Sequence, residues 1–574
     1  MSNGSHWFPY FLKRVEELHA DYNPEWRLLR RPFRSPGYHT AIRKADYVHP
    51  TREALVYAVA LLDMGDESYR ERAFHLIERI VSLQDTDPSS PTFGIWSWFY
   101  EEPLEKMSPP DWNWADFNGK QLLLAVIRYA DLFPAELLAQ TKQAICNSCD
   151  AIIKRNVGPD YTNIAIMGAF VTLLAGETLG IERYRQYGLD RLDRFYRYTL
   201  ERGAFNEYNS PTYAIIAVEE LSSIATETSE PRARVQVAEL LDIAWRMIAV
   251  HYHPPTGQWS GPQSRAYDSL LTPERLTFLQ MACGDRVSFL PEEGYVYGLT
   301  WYGNEIVCPE KYIPYFTGEP DREWVQGLGS AGAGRERRAS TYMNGRLSLG
   351  TFNSNIMWNQ CRNLLGYMVN DNGAAYVHLR VLHDGYDYSS AVFSGVQRQS
   401  TVLCGITFAT DAGGTHPNLD QVHGRIDASD LRIRFELGGC LDGAQVSTED
   451  AGVSLRLGDQ TLKVKTVYGE FDGCPVTEWE SSREGDKLCL DLVLYRGEPR
   501  LLDFHRIESA CIVIAFEADG SRRAWQTEVQ KQDAGVSGKL LLGEGGVLEL
   551  DAPLKPDTLE KLLWHNAPMT GASN

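Results

Sequence analysis

Four short segments carry more polar and aromatic side chains than packing or connection requires. Asp111-Trp-Asn-Trp-Ala-Asp-Phe-Asn118 holds two Trp, two Asp and two Asn. Trp112 and Trp114 can offer a platform for the C–H faces of sugar rings, with Asn118 as a hydrogen-bonding partner. The competing use is an aromatic plug whose Asp or Asn caps the next helix. Asp160-Tyr-Thr-Asn163 opens a very apolar helix, where Thr162 or Asn163 can also serve as a cap. Gly203 to Tyr213 sets Glu207, Tyr208, Asn209 and Tyr213 ahead of another helix. Unpaired N–H groups and the positive dipole end at such a place favour an anion.

The fourth segment, His251 to Tyr267, spreads His251, His253, Trp259, Arg265 and Tyr267 among turn residues, where functional loops concentrate. His251 and His253 lie two apart and would face different ways on a helix, so a zinc site from them alone is not expected. Further on, Trp358, Gln360 and Arg362 alternate and would share one face of a strand looking into a cleft. An aromatic–cationic cross-strand pair is the plainer use of the same residues. His378 and His383 lack a third ligand at a telling spacing, and no metal or cofactor is expected. Two carboxyl groups about 5–10 Å apart would suit glycoside hydrolysis, and Glu207 with Asp111 or Asp116 can supply them.

The elements that must position these residues fall into two halves. From about residue 50 to 285 apolar residues recur at helical spacing, as in Leu55, Ala58, Leu61 and Leu62, or Val237, Leu240, Ile243 and Ala244. Breakers such as Pro109-Pro110, Gly158-Pro159 and Pro254-Pro255 separate eight or more helices. Helix pairs of this kind stack as a solenoid or close into a ring, and the lack of a strict repeat favours an (α/α) toroid. From about 335 the period becomes two, as in Leu431-Arg-Ile-Arg-Phe-Glu-Leu437. The expected fold is therefore multidomain α + β: an incomplete toroid over 1–325, a Gly-rich linker over 326–334 and an antiparallel β-sandwich or supersandwich over 335–574.

The formal charge of −20 argues against a nucleic-acid or anionic-membrane surface. It leaves room for an acidic sugar, since one Arg and a few amides can hold a carboxylate. No leader segment or membrane-length apolar run is read, and the ten cysteines form no framework, so a cytoplasmic protein acting on imported oligosaccharide is expected. The number of subunits is left open.

Tyr161-Thr-Asn-Ile164 at a helix start, followed by Gly203-Ala-Phe-Asn-Glu207 and Tyr213, resembles the toroid-plus-sandwich polysaccharide lyases, with the heparinase II/III-like and alginate-lyase-like branches nearest. The resemblance covers the helical half. It implies β-elimination on a uronic-acid-containing glycan, without a cofactor. Asn163 then matches the Asn that neutralises the substrate carboxylate, Glu207 the Glu of the second motif, and Tyr213, or failing it Tyr208, the catalytic Tyr. Ile164 stands where those lyases carry a His. Either His251 or His253 replaces that base, or the Tyr serves as both base and acid, or the chemistry differs. Arg265 can assist as a second carboxylate neutraliser.

Overall fold

The computed structural model describes residues 6–35, 39–331, 335–449, 451–518 and 526–565. Ten long helices build the first half: α1 Phe8–His19, α2 Thr51–Asp63, α3 Arg70–Val81, α4 Trp114–Tyr129, α5 Ala135–Arg155, α6 Thr162–Leu179, α7 Glu182–Arg202, α8 Pro211–Glu227, α9 Pro231–His251 and α10 Pro273–Cys283. Consecutive helices pair as α2–α3, α4–α5, α6–α7 and α8–α9. The first member of each pair also packs on the first member of the next, α2 on α4, α4 on α6, α6 on α8 and α8 on α10. The result is a double-layered incomplete ring, with α2, α4, α6, α8 and α10 inside.

Position in the ring explains the sequence of each helix. The outer helix α7 buries one stripe, including Tyr184, Leu192 and Phe195. The inner helix α6 is apolar on every face and buried from Thr162 to Gly176. By length and composition α6 could cross a membrane, which the sequence reading did not anticipate; 83% of that stretch is buried inside the ring. The lumen retains about 320 Å³, with Arg52, Lys120, Glu219, Glu220 and Arg275 on its wall. Lys120 Nζ is held there by Glu220 at 2.5 Å and Glu219 at 3.4 Å.

The second half is antiparallel throughout its two large sheets. A nine-stranded sheet runs from Trp479–Glu484 through Lys487–Asp503, Arg425–Gly439, Gly373–His383, Leu364–Asn370, Leu347–Phe352 and Arg335–Met343 to Arg322–Ala331, with Tyr386–Asp387 paired beside Gly373–His383. An eight-stranded sheet faces it, and a three-stranded sheet over Gln526–Pro553 packs against the far side of the latter. Leu431, Ile433, Phe435 and Leu437 point into the layer between the large sheets, as the period-two pattern requires.

Within the expected linker, the described residues 326–331 belong to a strand. Residues 322–331 form an edge strand paired with Arg335–Met343, and 332–334 lie outside the described residues. The strand bends there: its register shifts between Gly327 and Ser330, and Gly329 takes φ +77°. The two halves meet closely. Leu270 of the ring packs on Leu365, Tyr367 and Tyr376 of the nine-stranded sheet. Gly350 lies so near the Gly261 carbonyl that a Cβ there would collide with it, while Thr341 Oγ1 donates to the same carbonyl at 2.7 Å.

Candidate active site

The N-terminus of α6 has no side-chain cap of its own. Glu207, from the loop before α8, supplies one from outside. Its Oε2 accepts the Asn163 backbone N–H at 2.9 Å, and both oxygens lie 2.8 Å from Asn163 Nδ2. In return Thr162 Oγ1 accepts the Glu207 N–H at 3.2 Å. A carboxylate on a helix N-terminus is favoured by the unpaired N–H groups and the dipole.

Arg265 completes this carboxylate's shell, with Nη1 at 2.7 Å from Glu207 Oε1. Its Nε donates to Gln360 Oε1 at 3.0 Å. The guanidinium lies 4.1 Å from the centre of the Tyr213 ring and 5.4 Å from that of Trp358. Tyr213 and Tyr267 share a hydroxyl–hydroxyl bond of 2.7 Å. Asn163, Glu207, Tyr213, Arg265, Tyr267, Trp358 and Gln360 therefore come together from both halves of the chain.

Short connections hold Arg265 in place. Ser210 caps α8 by accepting the Tyr213 N–H at 3.1 Å, and its hydroxyl donates to the Arg265 carbonyl. The Tyr208 carbonyl accepts from both Ser264 N and Ser264 Oγ, at 3.1 and 2.8 Å. Across the domain boundary, the Ala266 N–H donates to the Gln360 carbonyl at 2.6 Å, and Gln263 and Arg362 exchange backbone bonds. Met357–Arg362 is thus a turn between strands rather than a strand. Trp358 and Gln360 reach Arg265, whereas Arg362 turns into a neighbouring recess.

Several expected residues lie elsewhere. Tyr208 and His251 form a buried pair away from the cleft: Tyr208 donates to His251 Nε2 at 2.9 Å, while His251 Nδ1 donates to the Met247 carbonyl at 2.7 Å. His253 is equally enclosed, with Nδ1 on Thr256 Oγ1 at 2.8 Å and Nε2 on the Asn344 carbonyl at 2.7 Å. Burial pulls both imidazoles down to about 4. Neither ring offers a nitrogen to a substrate. Asn209 is buried at φ +49°, donates to the Ser260 and Pro262 carbonyls and accepts from Trp259 Nε1; both residues are scaffold for the Arg265 loop.

The Trp segment divides in the same way. Trp114 is buried, donating to Thr51 Oγ1 at 2.9 Å. Half-buried Trp112 reaches the Pro91 carbonyl at 3.4 Å. Helix α4 starts at Trp114, inside the segment expected to precede it, so Asp116 and Asn118 are buried helical positions. Burial pushes Asp116 up to about 7, against the pull of Arg191 and Arg155. Asp111 accepts from Trp98 Nε1 at 3.1 Å and from the Asn113 N–H at 3.0 Å. With Glu207 saturated by N–H donors and both aspartates buried, the carboxyl pair that hydrolysis requires is not presented. Ile164 is buried in the ring. Among the described residues no group of three or more His, Cys, Asp or Glu could hold a metal.

Three groups in the cleft were missed from sequence. Tyr161, beside Arg265, has its hydroxyl 3.3 Å from Asn113 Nδ2, and Asn113 Oδ1 accepts from Arg155 at 2.6 Å. Trp98 stacks on Trp114 at 5.2 Å and meets the tilted ring of His39 at 5.4 Å. His416, from a loop of the sandwich, sets its ring edge-on to Trp358 at 5.1 Å. Burial lowers His416 to about 4; Asp420 opposes this, and His39 and Arg265 add to it. Its Nδ1 accepts the Asn418 N–H at 3.1 Å, which assigns the proton of the neutral ring to Nε2. Tyr161 had a signal, being adjacent to the Thr162-Asn163 pair; His416 had none.

Burial raises Tyr213 far above its ordinary value; Arg265 opposes this, while Tyr267 and Glu207 add to it. Burial disfavours the charge on Arg265, but Tyr213, Glu207, Tyr267 and Tyr161 together raise it, so it stays a cation.

A family model described as a domain of unknown function (DUF8769) matches residues 32–276, the stretch that contains α2 to α9. Among curated proteins nothing matches. Solved structures similar to this chain include the chondroitin AC lyase of Streptomyces coelicolor A3 in complex with chondroitin sulphate, 10% identical over 97% of this chain and 96% of that one, with a TM-score of 0.45. Heparinase III is 11% identical over 88% and 82% of the two chains, at 0.42. The heparan sulfate lyase HepC from Pedobacter heparinus is 10% identical over 88% and 82%, at 0.33.

Proposed function

We propose that the chain is a polysaccharide lyase that cleaves a uronic-acid-containing glycan, in oligosaccharide form, by β-elimination. The observation that carries this reading is the Arg265 guanidinium, locked by Glu207 and Gln360 and lying 4.1 Å from the Tyr213 ring. In a uronide the proton at C5 is weakly acidic while the neighbouring carboxylate keeps its charge. A fixed cation beside that carboxylate stabilises the enolate-like intermediate that forms when the proton leaves.

Arg265 directs Nη1 and Nε to the protein, which leaves Nη2 for the substrate. Asn163, whose Nδ2 lies 2.8 Å from both Glu207 oxygens, is the neutral donor beside it. Tyr213 moves the proton: as phenolate it takes hydrogen from C5, the C4–O bond breaks as the C4–C5 double bond forms, and the phenol returns that proton to the leaving oxygen. Burial opposes the phenolate and Arg265 favours it, so the rate should climb with pH through the neutral and alkaline range. A rate that instead levels off above about pH 5 would refute Tyr213 as the base.

The test is ultraviolet absorbance while the protein meets a panel of uronic-acid oligosaccharides. A rise reports the new double bond. New reducing ends with flat absorbance would overturn elimination.

A further inference from the structure

Beside Tyr267 lies a recess of about 530 Å³ between the ring segment 267–272 and the outer face of the nine-stranded sheet. Arg362, His378, Arg380, Glu436 and Lys487 stand on its wall. The volume lies within the range of small-ligand sites.

Counted with Arg275, which pairs with Asp268, four cations stand at this wall against three carboxylates, Asp268, Asp387 and Glu436. Asp268 is paired with Arg275 at 3.0 Å. Asp387 and Glu436 are both paired with Arg380 at 2.6 Å, and Glu436 also with Lys487 at 3.0 Å. Every carboxylate is thus taken, and Arg362 is left over. Its Nη1 donates to the Asn359 carbonyl at 2.7 Å. Its Nε is buried without a partner, and no carboxylate lies within 4.0 Å of the group among the described residues. Asn359 Oδ1, on the same turn, is also buried without a partner. Arg362 is only 5% exposed. Burial disfavours its charge, and Asp387, already paired with Arg380, favours it only from beyond ion-pair distance; His378 beside it is held neutral by burial. A buried guanidinium with no ion pair of its own is costly, and an anion received at the site would offset that cost.

We infer that this recess is an anion-recognising subsite, taking a sulfate ester or carboxylate on the sugar residue next to the one held at Arg265. The turn 357–362 couples the two places, since Gln360 binds Arg265 and Arg362, two residues on, lines the recess. Tyr267 lines the recess too, and bonds Tyr213. Assigning the ligand to a glycan rests on the lyase reading; anion binding itself does not.

The probe is inorganic sulfate, titrated calorimetrically into the full-length protein and into Arg362→Gln and Arg265→Gln. Arg362→Gln should weaken sulfate roughly tenfold or more, the worth of one charge-assisted hydrogen bond. Arg265→Gln should leave that binding in place. Unchanged binding in Arg362→Gln, or no saturable binding in the unmodified protein, overturns the subsite. Should Arg362→Gln fail to fold, Lys487→Ala on a side chain that is 41% exposed decides instead: a loss of about threefold supports the proposal and an unchanged constant refutes it. A second arm compares sulfated and desulfated forms of one uronate oligosaccharide bound to Tyr213→Phe. A penalty from Arg362→Gln confined to the sulfated form assigns a sulfate ester, and one shared by both forms assigns the carboxylate. Neither arm depends on turnover.

Discussion

Replacing Arg265 by Lys keeps the positive charge and removes its geometry. The ammonium can hold Glu207 or Gln360 but not both, because the two bonds at 2.7 and 3.0 Å leave from different nitrogens of one planar group. It also loses the flat contact with Tyr213 and Trp358 at 4.1 and 5.4 Å. One lost hydrogen bond costs about 1 kcal/mol, and two weakened aromatic contacts cost about 0.5–1.5 kcal/mol each. The sum, roughly 2–4 kcal/mol, corresponds to about 30- to 1,000-fold in kcat/KM if it falls on the transition state. The pH profile should move as well. Arg265 is the cation that opposes the rise of Tyr213, so a displaced charge lets Tyr213 rise further. A group that acts as a base when deprotonated then needs a higher pH, and the alkaline climb shifts upward. The assay is initial ultraviolet absorbance against pH for both proteins, with circular dichroism to confirm the ring. A variant within threefold of the parent, on an unmoved profile, would refute the role given to Arg265.

Tyr213→Phe should lower kcat by about 10²–10⁴, the usual worth of a positioned proton-transfer group. Tyr208→Phe should leave kcat unchanged and cost about 1–3 kcal/mol in urea unfolding, because it strands the buried His251 Nε2. His251 has its folded value lowered to about 4 from 6.5, so its contribution is present above pH 6.5 and fades as pH falls toward 4. That amounts to roughly 3 kcal/mol, and His251→Asn should flatten the fall in urea midpoint between pH 7 and 5. Gly350→Ala forces a Cβ against the Gly261 carbonyl, so activity should drop and the protein should lose about 1–3 kcal/mol while helical ellipticity stays.

Much of the ring was legible because its signals are local. Ser210-Pro211 marks the start of α8 and Gly180 at φ +68° the end of α6, and a spacing of three and four places each buried stripe. Trp114 to Asn118 misled because the helix begins inside a polar-aromatic run, and Asp116 keeps its place through burial inside the wall rather than exposure on a loop. The Gly run misled in the opposite sense. Gly327 and Gly329 accommodate a bend within a paired strand, while composition alone suggested a linker. Density of polar residues picked out the His251–Tyr267 segment, yet it could not separate the buried histidines, which hold main-chain carbonyls, from Arg265, which faces the cleft. His416 joins the site only because the sandwich loop folds back over Trp358, a contact between positions 58 apart.

The bonds from Ala266 to Gln360 and between Gln263 and Arg362 stitch the two halves together at the place where substrate would lie. They also impose an order on biosynthesis. The ring is translated first, and with it Glu207, but a nascent chain that has not reached residue 360 lacks the Gln360 half of the clamp on Arg265. Activity should therefore arise late, once the sandwich is made. Ring and sandwich expressed as separate pieces would make a split reporter, silent apart and active only when brought together.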